Sequence, residues 1–265
     1  MPTTKIQGHD FYYESTGEGD PILFLHGLGS SSIDWEFQIP AFARSHRVIA
    51  MDVRGHGRSA KPAGPYTVKQ MAADAVALLE QLGAVPAHIV GLSMGGMIAF
   101  QMAVDAPQAV RSLTIVNSGP EMILRTPEQK AGVEARYTIV RTQGMRALAK
   151  IVAGPLFPNP DQAALRQRFE DQVAGNDPEA YLAALGAING WSVTDRIGAI
   201  GCPVLIVASD QDYTPVEWKH FYAAQIPGAR VVVLNDSRHA APLDQPEQLN
   251  RAVAEFLGSA VLRRS

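Results

Sequence analysis

The sequence lacks most of the features that would set a chain apart from ordinary globular proteins. It has a single cysteine, Cys202, which excludes an internal disulfide framework. No stretch of about 18 consecutive apolar residues occurs, so no membrane span is predicted. The histidines do not cluster at metal-ligand spacings and H-E-x-x-H is absent, so neither a metal nor another cofactor is expected. Lysines and arginines form no run that could track a nucleic acid, and Arg263-Arg264 reads as a solvated tail. Met1-Pro2-Thr3-Thr4-Lys5 carries no apolar signal core, which points to a cytoplasmic chain. The composition thus implies no nucleic-acid or membrane partner, and it leaves the oligomeric state open.

What is present suits a large α/β domain or two small ones. The chain has 265 residues, 46% hydrophobic and 18% charged, with a formal net charge of −3, enough apolar content for a sizeable core. Thr3–Ile6 and Phe11–Ser15 read as short strands with Gly8 at the turn. Ile22–Leu25 and Arg47–Met51 are continuous apolar runs typical of strands buried on both faces. Ser32–Phe42 between them reads as a helix. Thr67–Leu82 carries Val68, Met71, Ala72, Ala75, Leu79 and Leu82 at helical spacing, with Thr67 and Gln70 in a capping-box pattern and Gly83 at its end. Strands are predicted over Ala87–Leu92 and Ser112–Asn117, then over Pro203–Ala208 and Arg230–Leu234. Helices are predicted around Val216–Gln225 and from Pro246 to Leu257.

The most informative segment is Gly91-Leu92-Ser93-Met94-Gly95-Gly96. It lies between the apolar run His88-Ile89-Val90 and the helical Met97–Ala103. A serine between two glycines at a strand-to-helix junction is the nucleophile-elbow pattern, G-x-S-x-G. The turn is so tight that a side chain at Gly91 or Gly95 would meet backbone. It lifts the Ser93 hydroxyl clear of the sheet, and the following helix aims free N–H groups at a reacting oxygen. A serine hydroxyl needs an adjacent base, and the base needs a carboxylate to hold one tautomer. The chain order that goes with this elbow is serine, acid, histidine. Ser209-Asp210-Gln211-Asp212-Tyr213-Thr214-Pro215 follows one late strand. Asp236-Ser237-Arg238-His239 follows the last, and His239 is the histidine placed there.

These segments, with Leu25-His26-Gly27-Leu28-Gly29, Asp52-Val53-Arg54-Gly55-His56-Gly57-Arg58-Ser59 and Pro242-Leu243-Asp244-Gln245-Pro246-Glu247, resemble the α/β-hydrolase fold family over nearly the whole chain. Gly91–Met97 is most similar to its 3-oxoadipate enol-lactonase-like and carboxylesterase branch. The resemblance implies a mostly parallel sheet flanked by helices, and a cofactor-free serine hydrolase acting on a small ester or lactone. Catalytic residues would be Ser93, Asp212 and His239, with backbone N–H groups of Leu28 and Met94 as the oxyanion hole. The Ser209-x-x-Asp212 spacing fits the family pattern, although Asp212-Tyr213-Thr214-Pro215 is one residue shorter than its commonest form, and Asp210 remains the other candidate. Carbon–carbon bond hydrolysis, perhydrolysis, and a small-ligand receptor built on the same scaffold are the alternative readings.

The 85 residues from Ser118 to Cys202 are far too long for an ordinary α/β connection of about two to six residues. Glu128–Arg141, Met145–Val152, Gln162–Val173 and Pro178–Ile188 read as helices, separated at Gly154-Pro155 and Pro158-Asn159-Pro160. The expected organisation is a core over 1–119, a helical cap over 120–196 and a second core segment over 197–265. Trp35, Met122 and Trp191 are candidate substrate contacts, and Met145, Leu156, Phe157 and Tyr181 could join them. One of Arg125, Arg136, Arg141 and Arg146 could hold a substrate carboxylate in a bidentate pair. Gly55–Ala60 matches a dinucleotide-loop pattern, but Lys61-Pro62-Ala63-Gly64-Pro65 intervenes before any helix, so it reads as a charged turn with Asp52 and Arg54 as pairing partners.

Overall fold

A computed structural model describes residues 2–261, and the Arg263-Arg264 tail lies outside them. The strands are β1 (Thr3–Ile6), β2 (His9–Thr16), β3 (Pro21–Leu25), β4 (Arg47–Met51), β5 (Ala87–Leu92), β6 (Val110–Val116), β7 (Val204–Ser209) and β8 (Arg230–Leu234). They form one sheet in the order β1-β2-β4-β3-β5-β6-β7-β8. β1 and β2 pair antiparallel, β2 pairs antiparallel with β4, and every other pairing is parallel. Parallel strands need both faces covered, and the side-chain alternation supplies two cores. Leu23, Leu25 and Ile89 face one apolar cluster, and Ile22, Phe24 and Val90 face the other.

The helices are α1 (Gln38–Phe42), α2 (Val68–Gln81), α3 (Met94–Asp105), α4 (Pro127–Gln143), α5 (Met145–Leu156), α6 (Ala163–Ala174), α7 (Pro178–Ile188), α8 (Val216–Ala223), α9 (Ala241–Asp244) and α10 (Pro246–Val261). In α2 the apolar stripe is buried and the Thr67 side chain accepts from the Gln70 N–H, a cap worth about 1 kcal/mol. α4 opens on a full capping box between Thr126 and Gln129.

Three local expectations need correction. Ser32–Phe42 is a 3-10 turn over Ser32–Trp35 followed by α1, broken at Glu36-Phe37. Pro40 has no N–H to offer the carbonyl four residues back, and Trp35 turns inward onto Phe24 with ring centroids 4.7 Å apart. Gly154-Pro155 separates nothing: Pro155 lies in the last turn of α5, where it forfeits a single ladder bond. Arg54 pairs across the molecule with Asp74 of α2, not with Asp52. Its Nε and Nη2 lie 2.8 and 2.7 Å from the two carboxylate oxygens, and both side chains are buried. Asp52 instead accepts the Ser32 N–H at 2.7 Å and the Arg58 N–H at 2.8 Å.

Helices α4 to α7 all fall between β6 and β7. Their segment leaves and rejoins the sheet through a narrow neck. Glu121 and Ser192 form an antiparallel bridge there. Met122 N–H donates to Trp191 O at 2.8 Å, Gly190 N–H to Met122 O at 2.9 Å, and Val193 N–H to Pro120 O at 2.8 Å.

The strand order defines where a ligand can sit. From β3 the chain moves outward to β4, then returns to the far side of β3 as β5. Loops leaving the carboxyl ends of β3 and β5 therefore diverge, and the crevice between them is the switch point where open α/β sheets bind ligands.

Candidate active site

Ser93 stands at that switch point, between β5 and α3, with φ +52° and ψ −117°. Such a conformation in a non-glycine residue costs about 1–3 kcal/mol and persists only when its surroundings hold it. They do so here. A Cβ on Gly91 would collide with the Gly95 carbonyl, and one on Gly95 with the Leu25 and His26 carbonyls, so the turn packs directly on the end of β3. The Ser93 N–H donates to Val116 O at 3.0 Å, and Ser118 Oγ donates to Ser93 O at 2.7 Å.

The loop after β3 is propped by His26, which is fully buried. Its Nδ1 donates to the Gly27 carbonyl at 2.8 Å and its Nε2 accepts the Val53 N–H at 2.9 Å, so both ring nitrogens are committed to backbone. Gly27 faces Ser93, whose Cβ lies 3.6 Å from where a Gly27 Cβ would be. Among the described residues, no acceptor is recorded for the N–H of Leu28 or of Met94.

The two aspartates after β7 have different partners. Asp210 accepts the backbone N–H groups of Asp236 and Ser237, each at 3.0 Å, and so shapes the loop after β8. Asp212 Oδ1 accepts from His239 Nδ1 at 2.8 Å. Its Oδ2 accepts from Lys219 Nζ at 2.8 Å and from Thr214 Oγ1. Burial pushes the Asp212 carboxyl up, but the bond to His239 and its charge, with Lys219 beyond, hold it down at about 2. His239 is held from behind by Asn117, whose side chain donates to the Arg238 and His239 carbonyls at 3.1 and 3.0 Å and accepts the Ser209 N–H at 2.8 Å.

Tyr213 completes the cluster. Its ring lies against the His239 ring, centroids 4.2 Å apart, and its hydroxyl is 2.6 Å from His239 Nε2. The same hydroxyl lies close to the Ser93 side chain, and desolvation there, with the Asp212 charge, pushes the phenol up. The residue as a whole is 67% exposed. Sequence reasoning missed Tyr213, Lys219 and Asn117. The short Asp212-Tyr213-Thr214-Pro215 turn was the one visible sign that this loop differs.

A cavity of about 810 Å³ opens over these groups, and its walls include Leu28, Ser93, Met122, Arg136, Tyr213 and His239. Leu156 and Tyr181 also line it. Trp35 does not: it is fully buried in the core beneath α1. Nor does Trp191, whose Nε1 donates to Gln101 Oε1 at 2.7 Å and ties the neck to α3. Met145 and Phe157 are buried in packing between helices. Of the four arginines, Arg125 pairs with Glu121 at 2.6 Å, Arg146 pairs with Asp171, and Arg141 lies over the Tyr137 ring at 5.4 Å. Arg136 alone of these faces the cavity without an acidic partner among the described residues, and it lies near the Tyr181 hydroxyl. No group of three or more metal-ligating side chains occurs among the described residues.

A serine on a strained turn and a histidine–carboxylate pair at one cavity, on a sheet of this topology, are the marks of one protein class, and comparison with known proteins agrees. Residues 20–246 match the α/β hydrolase fold model, and the chain belongs to that family. Over 97% of its length it is 32% identical to the RutD protein of Azorhizobium caulinodans, named as a carbamate hydrolase, covering 98% of that protein. The enol-lactonase of Burkholderia xenovorans superposes with a TM-score of 0.90 at 27% identity, covering 97% of this chain and all of that one. A thermophilic esterase of Thermogutta terrifontis superposes at 0.87 with 29% identity, covering 97% of each chain.

Proposed function

We propose that the protein is a cofactor-free serine hydrolase of small carboxylic esters or lactones, working in the cytoplasm through an acyl-enzyme. The observation that carries this reading is the 2.8 Å bond between His239 Nδ1 and Asp212, beside the elbow serine on a shared cavity. Ser93 attacks the carbonyl carbon as His239 Nε2 takes its proton. Asp212 holds the imidazole in the tautomer that leaves Nε2 free to accept, and stabilises the imidazolium that results. The developing oxyanion is received by the N–H groups of Leu28 and Met94. His239 then returns the proton to the leaving alkoxide or enolate, and water, deprotonated by His239, cleaves the ester to Ser93. The Tyr213 phenol must swing off Nε2 as the serine engages it, and the exposure of this residue leaves room for that movement.

Residues 120–196 act as a cap that closes the acyl pocket on small substrates. Arg136 supports a substrate bearing a carboxylate: the cavity is largely apolar, and its own acids are engaged elsewhere, Glu121 with Arg125 and Asp34 with Ser30 and the Gly27 N–H, so the guanidinium favours an anionic ligand. An esterase, an enol-lactonase and a carbamate hydrolase among its relatives support acyl transfer to water as the shared chemistry.

The test is labelling with a fluorophosphonate beside turnover of an aryl acetate. Wild-type protein should be labelled at Ser93 and turn over continuously, and Ser93→Ala should be unlabelled with kcat lower by on the order of 10⁴ or more. A single slow burst without turnover would make the protein a receptor on this scaffold. Labelling elsewhere would remove Ser93 from the mechanism.

A further inference from the structure

We infer that Lys219 is a positioning residue for this chemistry, holding Asp212 from behind and setting the charge against which His239 works; the inference rests on the Ser93–His239–Asp212 reading above. Lysine is almost never fully buried unless paired, because desolvating an ammonium is costly. Lys219 has no exposed surface at all. Its neighbours on α8, Glu217, His220 and Phe221, are exposed, and it alone of these turns inward. All three of its donor hydrogens have acceptors: Asp212 Oδ2, the Thr214 carbonyl and Thr214 Oγ1, each at 2.8 Å. A leucine at this position could pack without that desolvation cost. The charge is therefore kept for what it touches, and what it touches is the carboxylate that holds His239.

Two consequences follow from the geometry. The carboxylate has one oxygen on His239 and the other on Lys219, so it is pinned at both ends and cannot rotate away from the imidazole. The second consequence is electrostatic. Once His239 gains a proton, two cations share one buried anion, so Lys219 opposes the imidazolium across Asp212. Other charged and titratable groups also face His239. Tyr213 lies on its ring, and Arg136 of α4 acts through Tyr213. Asp210 and Asp244 bind the backbone of its own loop, at Asp236, Ser237 and Arg238. None of these touches Asp212 Oδ2, so the Lys219 contribution can be isolated by changing Lys219.

The experiment measures kcat/KM for an aryl acetate from pH 4.5 to 9 in wild type, Lys219→Met and Lys219→Gln. Lys219→Met removes both charge and hydrogen bonds. Its acid limb should move up by on the order of one pH unit, and kcat at the plateau should fall about tenfold with KM little changed. Lys219→Gln keeps a donor to Asp212 without the charge, so it should show the same shift in the limb and recover most of kcat. Adding Lys219→Met to Asp212→Asn should cost less than about twofold, because a residue acting through Asp212 has nothing left to act on. An unmoved limb in both single variants would overturn the inference. So would a full, independent loss in the double variant, or failure of both substitutions to fold, which would make Lys219 a folding residue. An enzyme indifferent to Ser93→Ala and Asp212→Asn would instead overturn the triad reading itself.

Discussion

Asp212→Asn is the substitution with the most physics behind it, because one isosteric change should produce two independent effects. The first is chemical. An amide no longer holds His239 in the tautomer that leaves Nε2 able to accept a proton, and kcat should fall by on the order of 10⁴. The second is energetic and is specific to this molecule. Lys219 would lose its counter-ion while remaining fully buried. Stranding one member of a buried pair costs about 3–5 kcal/mol, several times the cost of losing an exposed pair. For a chain of this size that is a fall in Tm of about 10 °C. Asp210→Asn is the matched control. It keeps one oxygen to accept a backbone N–H and loses a second bond to Asp236 or Ser237, so activity should stay within about tenfold of wild type and stability should fall by about 1.5–3 kcal/mol. Aryl-ester turnover gives the activities, and thermal and urea melts at pH 7 give Tm and the free energy of unfolding. Equal activity losses would assign the acid to Asp210 as readily as to Asp212. A Tm unchanged in Asp212→Asn would show that Lys219 does not depend on Asp212, and the charge argument would fail.

Three further outcomes follow from the same structure. The buried His56 ring is pushed down from 6.5 to about 3 by desolvation and by His26. The unfolded chain therefore takes up a proton that the folded one refuses, so stability is full above pH 6.5 and should fall by about 1.4 kcal/mol per unit as pH drops toward 3; urea melts at pH 7, 5 and 4 that are flatter than this, or no flatter for His56→Gln, would count against it. Arg136→Met should raise KM for carboxylate-bearing lactones or esters about tenfold or more while leaving neutral esters within about twofold, and equal effects on both would return Arg136 to a structural role. Across acyl lengths of about two to sixteen carbons, kcat/KM should peak at short chains, since a cavity of about 810 Å³ limits what fits; a long-chain optimum with a rate jump on emulsified lipid would refute the cap reading.

The parts of this site that were legible in the sequence are those whose chemistry is local. Gly91 and Gly95 are required within a few residues of Ser93, because any side chain there meets backbone of the same turn or of the adjoining strand end. β3, β4 and β5 could be read as continuous apolar runs because parallel strands are covered on both faces. Lys219 was not legible, because nothing near it in the chain distinguishes a buried lysine from a solvated one; its counter-ion is set by how α8 docks. The same holds for Asp74, a charge on the buried face of an otherwise amphipathic helix, explained only by Arg54 arriving from another loop. Trp35 and Trp191 show the opposite limit. An aromatic side chain near a site can be pocket wall, core or strut, and only packing decides.

The neck at residues 120–122 and 190–193 brings the two ends of the long helical segment together before they rejoin β6 and β7. A closed neck makes the segment a cassette. Whatever lies above it is invisible to the sheet as a matter of chain entropy, since the ends are already held at a fixed separation and loop length enters only logarithmically. Ser93, Asp212 and His239 all lie outside the cassette, whereas Arg136, Met122 and most of the cavity roof lie on it. On the proposed function, selectivity and reactivity would then be carried by separate stretches of chain joined covalently at this one neck, with side-chain contacts such as Gln172–Ser30 and Asn176–Gly29 seating one on the other. A roof taken from a relative and joined at 122 and 190 should change which acid is accepted without altering how its acyl bond is broken. This molecule is in that sense a ready acceptor for transplanted specificity.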